Sequence, residues 1–119
     1  MPRKAIAHEQ KYVVVDAPVT LTVVVGERQY GSSIVFLDDE MIANGDIRNL
    51  TLGRGPALAG RTAMVYTLVT DIRSGTDEMS VTWSLSGGAD RASATKSRAD
   101  AASFGSQMFK GVFHFTTAG

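Results

Sequence analysis

Alternation with a period of two constrains this chain more than any other feature. Met79, Val81, Trp83 and Leu85 alternate with Ser80, Thr82 and Ser84, and Val19, Leu21, Val23 and Val25 alternate with Thr20 and Thr22. Successive side chains of an extended backbone point to opposite faces, so this pattern separates a dry face from a wet one only in a strand. A helix would spread the same residues around its whole circumference. Phe109, Phe113 and Phe115 likewise share a face with Gly111, opposite Lys110, His114 and Thr116. Val, Thr, Ile, Phe, Tyr and Trp fill these runs and suit a pleated surface. Segments with helical spacing are scarce, and the expectation is an all-β domain.

Composition bounds the rest. The 119 residues suffice for one domain and not for two independent cores, and 44% hydrophobic residues can fill one interior. Twelve basic residues balance twelve acidic ones. That balance lacks the basic excess of a dedicated nucleic-acid binder and the high net charge of a disordered chain. There is no cysteine, so disulfides, thiolate metal sites and cysteine nucleophiles are excluded. The basic start of the chain meets the polar stretch His8-Glu9-Gln10-Lys11 before any long apolar run, which predicts no secretory signal peptide. Tyr12–Val15, Val23–Val25 and Ile34–Leu37 fall far short of the roughly 20 residues of a membrane helix. A cytoplasmic protein without membrane insertion is expected.

Turn chemistry divides the runs. Asp38-Asp39 and Asn44-Gly45 punctuate residues 33–53, and Asn-Gly between apolar runs is a strong hairpin signal. These turns predict three consecutive antiparallel strands in a meander, then the loop GRGPALAG, then a long strand over 61–72. Residues 73–77 read as a second hairpin leading into 78–86, which Gly87-Gly88 ends. About eight strands result, at the spacing of a two-sheet antiparallel β-sandwich, with a small β-barrel as second choice. The stretch VTWSLSGG resembles an immunoglobulin-like strand, although the paired cysteines of that fold are missing, so the topology is expected to be immunoglobulin-like or related. A single domain over 1–119 is expected, with a mobile N-terminal arm over 1–10 and an Ala/Ser-rich connection over 89–106. Strand parity puts Asp38 and Asp39 at one end of the sheet with Arg54 and Arg61. It gathers Asn44, Asp46, Asp71, Asp77 and Glu78 at the other.

That second group supplies oxygen ligands of the kind calcium prefers. It lacks dense D-x-D spacing, contains Arg73, and consists of residues that turns use for their own geometry. Residues 55–62 read GPALAGRT, close to the phosphate-loop pattern, but β-rich sequence follows where that motif needs a helix. His114 alternates with Phe113 and Phe115 and points away from their face, and no nucleophile elbow exists. Catalysis is not expected, nor any cofactor. Trp83 is in phase with Met79, Val81 and Leu85, which predicts a core position.

Tyr12–Val15, Val23–Val25, Ile34–Leu37 and Met64–Leu68 carry apolar residues on both faces. An antiparallel strand wet on one side should alternate, so these runs need cover twice. One cover is the opposing sheet, and the second is a loop, the Ala/Ser-rich stretch, barrel-like closure of the sheet or, on the reading that follows, a protein partner or another copy of the chain. Ile34, Phe36, Met64, Tyr66 and Phe104 are the candidate anchors. The sequence thus points to a non-catalytic protein–protein interaction or assembly domain, an oligomeric structural or accessory component. The alternative is a β-sandwich module binding calcium, lipid or carbohydrate.

Overall fold

The computed structural model describes residues 5–26, 30–70, 79–98 and 105–117. Nine strands lie among the described residues: β1 (Ile6–Val14), β2 (Pro18–Val25), β3 (Tyr30–Leu37), β4 (Glu40–Gly45), β5 (Leu50–Arg54), β6 (Thr62–Thr70), β7 (Met79–Ser86), β8 (Ala92–Arg98) and β9 (Ser106–Thr117). One helical turn, α1 (Gly55–Leu58), separates β5 from β6. A five-stranded sheet in the order β1-β9-β6-β3-β4 packs on a four-stranded sheet in the order β5-β2-β7-β8. The result is the predicted two-sheet sandwich, and the barrel alternative is not formed.

The alternation in the sequence reappears as alternating burial. Met79, Val81, Trp83 and Leu85 are buried while Ser80, Thr82, Ser84 and Ser86 between them are half-buried. From the facing sheet Val35, Val65, Val69, Phe109, Phe113 and Phe115 meet them. Gly111 shares the inward face of β9, and a Cβ there would stand 3.1 Å from the Trp83 ring. The missing side chain is what lets the indole pack against β9.

Several details depart from the sequence reading. The arm expected over 1–10 is instead, from Ile6 onward, the first half of β1, hydrogen-bonded in parallel to β9. One pair in the otherwise antiparallel sheets is therefore parallel. His8, expected in that arm, turns inward, and its ring stacks near Trp83 with centroids 6.4 Å apart. The connection expected over 89–106 contains β8, which pairs along β7. Small residues suit an edge strand as well as a loop, which is why Ala and Ser misled.

The three-strand meander is also corrected. Asp38-Asp39 is a true hairpin, with Leu37 paired to Glu40 and Asp38 at φ 53°. Asn44-Gly45 is not one, although Gly45 takes the positive φ (102°) that the dipeptide predicts. After it the chain leaves the first sheet, and β5 pairs with β2 in the second. Ile47 is the reason: it is buried in the core at the side of the sandwich, and its carbonyl accepts the Val23 N–H at 2.9 Å. A two-residue turn would have left Ile47 and Leu52 outside. The expected hairpin over 73–77 fails similarly, because β6 pairs with β3 and β9 whereas β7 pairs with β2 and β8. In an immunoglobulin sandwich the last two strands are consecutive neighbours. Here the last two described strands, β8 and β9, lie in different sheets.

Candidate interaction face

The outward residues of the five-stranded sheet line up across four strands. Cross-strand register places Met41 opposite Phe36, Phe36 opposite Met64, and Met64 opposite Val112. In the next row Ile34 faces Tyr66, and Tyr66 faces Lys110; beyond them Leu68 faces Met108. Four of the five predicted anchors (Ile34, Phe36, Met64 and Tyr66) thus sit side by side on β3 and β6. Phe104 lies outside the described residues. The parity that turns Lys110 and His114 outward applies equally to Met108 and Val112, so both were legible in the sequence but were not read. Val112 is buried, yet it is not part of the core cluster between the sheets. Its neighbours on the outer face cover it.

These side chains support one another. The Phe36 and Tyr66 rings meet edge to face, 5.9 Å between centroids and 89° between planes. Lys110 Nζ stands 5.5 Å from the centre of the Tyr66 ring, where the ring's negative face attracts a cation. The patch remains open to solvent, with Met41 53%, Leu68 43% and Ile34 41% exposed. By strand spacing, the four strands and the two full rows cover roughly 260 Å² in projection, and Leu68 and Met108 extend the patch along β6 and β9. Apolar patches of a few hundred Å² are often functional.

The opposite outer face is built differently. Thr20 pairs with Ser86, Thr22 with Ser84, Ser84 with Ser93, and Thr82 with Thr95. Hydroxyls bond across the strands, Thr20 to Ser86 at 2.6 Å and Thr82 to Thr95 at 2.7 Å. Val24 is the large apolar exception there, 53% exposed. This face is already suited to water.

Charged groups border the apolar patch. Arg61 Nε donates to Asp38 Oδ2 at 2.7 Å and the Thr62 amide donates to Asp38 Oδ1 at 3.0 Å. The Arg61 hydrogen bond, then the amide, hold the Asp38 carboxyl below its ordinary value. Parity had placed these two residues together. Arg54, expected at the same end, pairs with Asp16 on the β1–β2 connection at 2.8 Å. On the other flank, His114 Nδ1 is 3.0 Å from Thr62 Oγ1, and His114 Nε2 pairs with Glu9. A hydroxyl, an imidazole and a carboxylate in that sequence resemble a hydrolytic relay. They lie, however, on an open sheet face, with the Glu9 side chain 67% exposed, and they tie β1, β9 and β6 together.

Of the predicted calcium ligands, Asn44 and Asp46 fall among the described residues. Asn44 is paired with Ile34, and Asp46 binds Arg48 Nε at 3.0 Å. Asp71, Asp77 and Glu78 lie outside the described residues. Among the described residues no three of His, Cys, Asp and Glu are grouped to hold a metal. The phosphate-loop look-alike leads through one helical turn into β6, as the sequence implied. A cleft of about 620 Å³ opens between β2 and β3, lined by Val23, Val25, Tyr30, Ser33, Ile47 and Arg48 among others. None of the candidate anchors lines it. No helix among the described residues is long and apolar enough to cross a membrane. Comparison with protein-family models, curated proteins and solved structures finds no match.

Proposed function

We propose that this chain is a non-catalytic protein–protein interaction or assembly domain, and that the outer face of its five-stranded sheet is the surface that binds. The observation supporting this reading is the in-register row Met41–Phe36–Met64–Val112, with Ile34 and Tyr66 beside it. Covering it would remove apolar area from water at about 25 cal/mol per Å². Edge-to-face and cation–π contacts hold Phe36, Tyr66 and Lys110 in place before a partner arrives, which lowers the ordering cost of binding. The hydroxyl-lined face of the same molecule acts as an internal control, since the same fold there presents polar groups.

Photo-crosslinking tests the reading. A benzoylphenylalanine at position 64 is expected to form adducts with protein in lysate of the source cells, and one at position 84 is not. Equal labelling from both positions, or none from position 64, would contradict it.

A further inference from the structure

We infer that a groove on the outer face of the four-stranded sheet binds a small hydroxylated molecule carrying one oxyanion, a sugar acid or a sugar phosphate. The groove encloses about 410 Å³, within the range of small-molecule sites, and its floor is the hydroxyl ladder of β2 and β7. Asn49 lines it on the β5 side, and Arg91 and Ser93 line it on the β8 side. The inference does not rest on the apolar face, which belongs to the other sheet. Its occupant is not a protein, so position 84, in the groove floor, remains a control for protein binding.

Charge selects the oxyanion. Arg48, Arg54 and Arg61 are each held by an aspartate, namely Asp46, Asp16 and Asp38. Arg91 is exposed and pairs with no carboxylate among the described residues, and none of those residues brings a carboxylate to the groove wall. Asp90 borders a separate, smaller hollow beside Tyr12. A guanidinium offers paired donors that match a carboxylate or a phosphate. Asn49 adds a second donor on the far wall. Its backbone N–H donates to Thr22 Oγ1 at 2.9 Å, and Thr22 Oγ1 donates to Asn49 Oδ1 at 3.4 Å. The side-chain NH2 is left without a partner among the described residues. Size selects the frame. From β5 to β8 the groove crosses three strand spacings, about 14 Å, which is more than one inorganic anion spans. Between the walls Thr20 and Ser86 bond to each other, whereas the Ser84 and Ser93 hydroxyls have no partner among the described residues. Hydroxyls both donate and accept, so the frame that meets them carries hydroxyls of its own. No aromatic ring of the described residues lines the groove, so nothing there offers the stacking that a nucleobase uses.

Chemical-shift titration of the full chain by NMR tests the inference, with glucose monophosphate, glucuronate, glucose and inorganic phosphate as probes. Saturable shifts centred on the amides around Ser84, Ser86 and Ser93 are expected with at least one of the two anionic sugars. Which of them saturates tells phosphate from carboxylate. Glucose and inorganic phosphate should each bind at least about tenfold more weakly, since one lacks the charge and the other the frame. Arg91→Gln should raise the dissociation constant for the anionic sugar to near that for glucose. Position 91 is exposed, so folding is not at stake, and circular dichroism checks it. The inference is overturned if neither anionic sugar saturates at millimolar concentration, or if the shifts centre elsewhere. Glucose or inorganic phosphate binding as tightly as the anionic sugars overturns it too, as does an unchanged constant in Arg91→Gln.

Discussion

Ser33 and Thr67 are polar side chains in an apolar interior, 2% and 0% exposed, and their hydroxyls bond to each other at 2.8 Å. Each satisfies the other on paired strands of the five-stranded sheet. Removing one hydroxyl leaves a buried polar group unpaired, which costs about 1–3 kcal/mol, whereas removing both avoids that penalty. Thr67→Val is therefore expected to lower stability by about 1–3 kcal/mol in urea melts, and Ser33→Ala/Thr67→Val to recover much of it. A double variant as unstable as the sum of its parts would show the pair to be irrelevant. Asp38 carries a second residue-level consequence. Its carboxyl sits below the ordinary value of 3.8 in the fold, first through the Arg61 hydrogen bond and then through the Thr62 amide. A depressed folded value means that the ionised form stabilises the fold above the unfolded value. That contribution fades as pH falls below 3.8 and through the lowered value. Tm against pH should thus fall less steeply on the acid side in Asp38→Asn than in the wild type, with the two curves converging at the lowest pH. Parallel curves would contradict the assignment.

At the scale of elements, β9 and β6 are the centre of the larger sheet: each has a paired strand on both sides, whereas β4 is paired only with β3. Amide exchange should be slowest in β6 and β9 and fastest in β4. Slow exchange in β4 would point to its edge being capped by another strand and not to stacking through the outer face. The same distinction explains how much was legible. Which residues are strand, and which side is dry, is written locally in alternation, so Met79–Ser86 and Pro18–Val25 were read correctly. Which strand pairs with which depends on distant residues. Nothing near Asn44-Gly45 announces that Ile47 must reach the core, and nothing in Ile6–Val14 announces β9 as its parallel partner. Of the candidate site, Ile34, Phe36, Met64 and Tyr66 were visible because two-faced runs are anomalous in an antiparallel sheet. Met41 was missed because its neighbour Ile42 forms the extra residue of a bulge opposite Val35 and Phe36, which breaks the alternation.

Over the whole molecule, the two outer faces divide the chemistry. One is a hydroxyl ladder on β2, β7 and β8; the other is an apolar field on β4, β3, β6 and β9. An equal charge placed on each face discriminates between a working surface and an accidental one. Met64 and Ser84 occupy comparable half-buried positions on the central strands β6 and β7. The decisive measurement is the protein retained from lysate of the source cells by Met64→Glu against Ser84→Glu, each checked for the wild-type circular dichroism spectrum. The account predicts retention at the wild-type level by Ser84→Glu and its loss from Met64→Glu. Equal retention by the two variants would contradict it.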